Sequence, residues 1–127
     1  MRVIIVRHAN AAPGQPDELR PLTEQGREAA HMLGELLAER QPDAVVSSPL
    51  LRTRETAQAI AAAAGLEPAV DERLAPGATA DDLRAAVDGR GETVVTVGHQ
   101  PDCSEIMLAL TGREVQFPTA SFAEIEL

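Results

Sequence analysis

The sequence predicts a three-layer α/β sandwich, helices on both sides of a mostly parallel central sheet, and three observations carry that prediction. Short apolar runs of strand length alternate with longer stretches of helical periodicity, the signature of right-handed β-α-β crossovers. The last run, Ala120 to Leu127, alternates apolar with polar residues and reads as an antiparallel edge strand. The chain has 127 residues, 44% of them hydrophobic, which suits one compact core without disulfides or metals to staple it. Residues 1–127 are therefore expected to form one domain.

Arg2 to Val6 is a continuous apolar strand, closed at once by Arg7 and His8. Ala11 to Pro21 carries three prolines and Gly14, so it reads as an exposed loop that could lie over whatever the first strand presents. Thr23 is a helix cap ahead of Ala29, Met32, Leu33, Leu36 and Leu37, whose three- and four-residue steps predict a helix to Arg40 with one face on the sheet. Asp43 to Ser47 is a second strand. A helix from about Leu50 to Ala64 stops at Gly65, and another, capped by Thr79, carries Leu83, Ala86 and Val87. Thr93 to Val97 is a further strand, and the final helix begins after Pro101 and ends at Gly112.

Composition narrows the function. Twenty acidic against eleven basic residues give a net charge of −9, which opposes binding to nucleic acid or to anionic membranes. The apolar run at the amino terminus is far shorter than the roughly 20 residues a membrane helix needs, and it is not a signal peptide. A lone cysteine, Cys103, suits a reducing, cytoplasmic compartment. All eleven basic residues are arginine, the side chain whose planar fork captures phosphate or carboxylate in bidentate fashion. Base-composition bias accounts for most of them, so position decides which matter.

Ligands of open α/β sheets collect at the carboxyl ends of the strands. There the sequence delivers Arg7-His8, then Ser47-Ser48 with Arg52 a helical turn further on, then Gly98-His99 before the helix that opens at Pro101. Two histidines and two arginines would converge on one small volume, and the free N–H groups of the last helix would favour a phosphate there. His31 falls mid-helix and is read as structural or exposed. Cys103 sits in the first turn of the last helix, where a thiol can be activated, but a small buried hydrophobe is the better reading. No His-x-x-x-His or comparable ligand cluster is present, so no metal and no cofactor is expected.

Arg7-His8 after the first strand, the block Ser47-Ser48-Pro49-Leu50-Leu51-Arg52-Thr53-Arg54-Glu55-Thr56 and the late Gly98-His99 together resemble the histidine phosphatase, or phosphoglycerate mutase-like, superfamily. The short length and the Arg20-Pro21-Leu22-Thr23 segment look most like its small SixA-type phosphohistidine phosphatases. That resemblance implies a phosphoglycerate mutase-like fold and a hydrolase that needs no metal. It makes His8 the nucleophile that accepts the phosphoryl group, with Arg7, Arg52 and His99 as catalytic partners. Neutral imidazole is a competent nucleophile near pH 7, and positive charge around a phosphoryl group in transit is the main catalytic requirement. His8 is expected to be neutral beside two arginines, and His99 protonated once phosphate is bound. Arg20, Ser48 and Gln100 are substrate-binding candidates.

Two departures from the family pattern shape the expectation further. Ala9 stands where glycine usually follows the nucleophile. Pro76 falls where larger members carry an acid to protonate the leaving group, with Glu72, Asp81 or Asp102 as substitutes. An alkoxide needs that proton, whereas the imidazole of phosphohistidine leaves more easily. The expected substrate is therefore a phosphohistidine-bearing protein; the alternatives are a phosphatase of small phosphorylated substrates and a non-catalytic phosphate or phosphoprotein binder.

Overall fold

A computed structural model describes residues 1–127. Its order is β1 (Arg2–Arg7), α1 (Glu24–Ala38), β2 (Ala44–Ser47), α2 (Leu51–Ala63), β3 (Ala69–Val70), α3 (Ala80–Val87), β4 (Thr93–Gly98), α4 (Asp102–Thr111) and β5 (Phe122–Glu126), with 3-10 turns at Asp17–Leu19 and Glu72–Leu74. The sheet runs β3-β2-β4-β1-β5. The first four strands are mutually parallel and β5 is antiparallel to β1, so the three-layer, mostly parallel sandwich and its antiparallel edge are as the sequence predicts.

Both faces of β1 are covered, which explains its unbroken apolar run. Successive side chains point to opposite faces: Val3 and Ile5 join Val46, Val94, Leu83, Val87, Ile106 and Met107 on the α3–α4 side. Ile4 and Val6 join Val45, Val95, Val97, Leu33, Leu37 and Ile60 on the α1–α2 side. Each such side chain contributes about 1.5–3 kcal/mol when fully buried.

Two local readings differ from the prediction. The buried stripe of α1 is Gly26, Ala30, Leu33, Gly34 and Leu37, while Met32 and Leu36 are exposed. The reason is close approach: a Cβ on Gly34 would stand 2.7 Å from the Ala59 carbonyl oxygen of α2, and one on Gly26 would overlap the Asn10 carbonyl. The helix turns its small residues inward because neighbouring backbone occupies the space. Strand β3 is absent from the prediction because it is two residues long, and Val70 is half exposed.

The order β2-β4-β1 sets three parallel strand ends side by side, about 4.8 Å apart. Register aligns Ser47 with Val97 and Arg7 with Gly98. The pairing continues one step past the strands, His8 N–H donating to Gly98 O at 3.1 Å and Ser48 N–H to Val97 O at 3.1 Å. The residues that follow, Ser48, His99 and His8, consequently stand in a row with His99 in the middle.

Candidate active site

The nucleophile candidate is held through its backbone and one ring nitrogen. His8 C=O accepts from Ala120 N–H at 3.0 Å, and Nδ1 lies 2.7 Å from the Ala9 carbonyl oxygen. A carbonyl only accepts, so Nδ1 carries the hydrogen and Nε2 keeps its lone pair. Burial pushes the His8 pKa below 6.5; the Ala9 carbonyl opposes this, and the charges of Arg52, Arg7 and Arg20 add to the lowering. His8 is thus neutral near pH 7, as expected for an attacking imidazole.

Ala9 fits without strain. Its backbone has none of the positive φ that calls for glycine. Its methyl packs with Leu22 and Ala30, while its N–H donates to Thr56 Oγ1 at 3.1 Å. Thr56 in turn donates to the Arg52 carbonyl at 2.8 Å, and Glu55 accepts the Leu22 N–H at 2.7 Å. The block from Ser47 to Thr56 therefore does two things: it supplies Arg52, and it ties α2 to the loop behind His8. Thr56 and Glu55 thus hold the His8 loop on α2, a task that nothing in their local sequence signals.

The two arginines are held differently. Arg7 donates from Nη1 to the Phe117 carbonyl at 2.9 Å, and its buried Nε–H has no protein acceptor. Arg52 is buried, and its two terminal nitrogens reach Asp17, one to the carbonyl at 3.0 Å and the other to Oδ2 at 3.2 Å. Asp17 also accepts from Arg20 Nη1 at 3.0 Å, while Arg20 Nε donates to the Ala12 carbonyl at 2.8 Å. The proline-rich loop thus does reach the site, and Arg20 meets it through Asp17. Asp17 itself was not singled out in the sequence; its one signal is an acid three residues before Arg20 in a loop next to the first strand.

His99 is buried, its ring centroid 5.5 Å from that of His8. Its Nε2 lies 2.8 Å from Ser48 Oγ. Burial, then His8, Arg52 and Arg7, push its pKa down to about 4, with Asp17 pulling the other way. In the free protein His99 is therefore neutral near pH 7.

The remaining candidates stand apart. The Gln100 side chain is engaged by Ser104, Oε1 accepting its N–H at 2.9 Å and Nε2 donating to its Oγ at 2.8 Å. The first turn of α4 offers fewer free donors than expected, because the Cys103 N–H is also taken, by the His99 carbonyl at 2.9 Å. Asp102 accepts from Gly77 and Ala78 N–H, holding a turn, and Cys103 is buried with its thiol pushed up to about 12, mainly by desolvation. His31 is exposed and pairs with Glu35 at 2.8 Å. No three His, Cys, Asp or Glu side chains cluster as a metal site. No helix is long and apolar enough to cross a membrane.

Comparison with known proteins agrees with this geometry. The sequence model of the histidine phosphatase superfamily (branch 1) matches residues 3–76, more than half of the chain and including Arg7, His8 and Arg52. An uncharacterized protein of Picosynechococcus sp. is 35% identical over 118 residues, covering 83% of this chain and 70% of that protein. A protein of Yersinia pestis named a probable phosphoglycerate mutase, GpmB, is 40% identical over 81 residues, 58% of this chain but 37% of that one. Among solved structures, the protein histidine phosphatase SixA complexed with tungstate superposes with a TM-score of 0.88 at 25% identity, covering 100% of this chain and 88% of that chain. On the matched span, the site residues within it and the superposition, this chain belongs to the histidine phosphatase superfamily, branch 1.

Proposed function

We propose that the protein is a metal-independent phosphatase that passes the phosphoryl group through His8 and takes phosphohistidine in another protein as substrate. The observation that carries the reading is the tautomer of His8: Nδ1–H is spent on the Ala9 carbonyl, which leaves the Nε2 lone pair among Arg7, Arg52 and His99.

In the first step Nε2 attacks phosphorus, the bond to the leaving atom breaks, and His8 becomes a phosphorylated imidazolium with Nδ1–H still on Ala9. In the second, a water oxygen attacks phosphorus and the P–Nε2 bond breaks. The electron pair returns to Nε2, and both water hydrogens remain on the dihydrogen phosphate released. Through both steps charge moves over the equatorial oxygens, where the unpaired Arg7 Nε–H and the Arg52 guanidinium supply donors. The likeness to SixA supports a protein substrate, and so does the exposed Asp17–Leu19 turn, the segment that reaches Arg52.

The test is phosphate release from a histidine-phosphorylated protein in EDTA, for wild type and His8→Ala, with a serine-phosphorylated protein and an aryl phosphate as competitors. Release that survives EDTA, requires His8 and favours phosphohistidine is the expected result. Preference for the aryl phosphate would make the protein a phosphatase of small esters, and binding without release would make it a reader of phosphate.

A further inference from the structure

We infer that Asp17 selects for phosphohistidine: its carboxylate accepts the N–H of the leaving imidazole on the ring nitrogen remote from phosphorus. The inference rests on the reading of the site as a phosphohistidine phosphatase and names the group that makes it one.

Asp17 Oδ2 lies 3.2 Å from Arg52 Nη2 and Oδ1 lies 3.0 Å from Arg20 Nη1, so the carboxylate is fixed at the rim by two guanidinium groups. Its side chain is 55% exposed whereas that of Arg52 is 9% exposed, which puts Asp17 on the solvent side, where a protein-borne substrate arrives. Arg52 commits two of its five N–H donors to Asp17, and its others make no hydrogen bond within the protein. The charged groups facing Asp17 are Arg20 from its own loop and Arg52 from α2, and its field reaches His99 across the site.

Chemistry decides what such a group can do. Hydrogen bonding to Arg20, then the bond and charge from Arg52, hold the Asp17 carboxyl below its ordinary range despite partial desolvation. A carboxylate held ionised is a poor acid, so it cannot give an alkoxide the proton that a phosphate ester requires. It is a good partner for a cation. Phosphohistidine protonated on its remote ring nitrogen is a cationic ring that leaves as neutral imidazole, keeping that proton. In the transfer, the P–N bond of the substrate breaks, its electron pair stays on the departing nitrogen, and a P–N bond forms to His8 Nε2. No proton has to move.

The arrangement is then symmetric. The Ala9 carbonyl holds the remote N–H of the entering imidazole, and Asp17 holds that of the leaving one. A neighbouring negative charge raises the pKa of the substrate ring and keeps it in the leaving form to higher pH.

The experiment compares wild type, Asp17→Asn and Asp17→Glu on a histidine-phosphorylated peptide and on 4-nitrophenyl phosphate, whose leaving group needs no such partner. Asp17→Asn is expected to lower the ratio of the two kcat/KM values at least tenfold and to move the alkaline limb of the peptide profile to lower pH. Asp17→Glu, which keeps a carboxylate, is expected to recover part of both. An equal fall on the two substrates, or an unmoved limb, would reduce Asp17 to a structural clamp on Arg52 and overturn the inference alone. A wild-type enzyme without preference for the peptide would overturn the functional reading together with it.

Discussion

Ser48 Oγ stands 2.8 Å from His99 Nε2, and the same oxygen accepts the Leu50 N–H at 3.2 Å. The hydroxyl is therefore pinned by the first turn of α2 while it pins the ring of His99, coupling the β2 end to the β4 end. Ser48 was a candidate for touching substrate; the structure gives its hydroxyl to His99. Ser48→Ala removes both buried hydrogen bonds; loss of the one that orients His99, about 1–1.5 kcal/mol, is expected to lower kcat roughly tenfold with little change in KM. Steady-state kinetics on a histidine-phosphorylated peptide check this, and a change confined to KM would return Ser48 to substrate binding.

Replacing Arg52 with Ala deletes the buried guanidinium between Asp17 and the site. The loss of transition-state charge stabilisation is expected to cost 10²-fold or more in kcat/KM, about 3 kcal/mol. His8→Ala should abolish an acid-labile phosphoenzyme altogether. Both outcomes are read by rapid quench with labelled substrate; a phosphoenzyme in His8→Ala would place the nucleophile elsewhere.

The pKa of His8 lies below 6.5 because burial and three arginines disfavour its cation. In the proposed mechanism the neutral form attacks, so lowering the pKa extends activity toward acid, and the acid limb of kcat/KM is expected below pH 6.5. Removing Arg7 or Arg52 takes away part of the lowering and should move the limb up. A pH–rate profile with its limb at or above 6.5 would show that His8 does not sit in this field.

His99 titrates at 6.5 when unfolded and at about 4 when folded. Between these values the unfolded chain binds the extra proton, so stability present above pH 6.5 is lost as pH falls toward 4, on the order of 3 kcal/mol. Urea titrations from pH 7 to 4 should show that slope, and His99→Gln should reduce it, leaving the smaller part that His8 contributes. Asp71, lowered to about 2 chiefly by Arg73, loses its contribution only below 3.8, whereas His8, also lowered from 6.5 by burial, adds to the slope inside this window.

Gly26 and Gly34 both sit in α1, where alanine would gain up to about 1 kcal/mol of helix propensity. Backbone overlap outweighs that gain at both sites, so each alanine variant is expected to lose about 2 kcal/mol net in thermal or urea unfolding. The two differ in function. Gly26 abuts Asn10, two residues after His8, so Gly26→Ala should also depress kcat; Gly34 abuts Ala59 and should spare it.

The strand–helix alternation was legible because it depends on local patterning alone. Apolar runs mark strands, Thr23 and Thr79 cap α1 and α3 through their hydroxyls, and Gly112 ends α4 in the left-handed region. Arg7, His8, Arg52 and His99 were legible for the same reason, as polar residues at strand ends or one turn beyond. The inward face of α1 was not: hydrophobicity favoured Met32 and Leu36, whereas the space available beside Asn10 and Ala59 favoured glycine.

The sequence by itself determined which side chains end the strands, and parallel topology then leaves them no other edge of the sheet. What only the tertiary structure decided are the partners across long separations: Ser48 with His99, Arg7 with Phe117, and Asp17 with Arg52. The physical reason is that periodicity reports the solvent a side chain meets, while a hydrogen-bond partner 35 to 110 residues away is set by strand order and loop path.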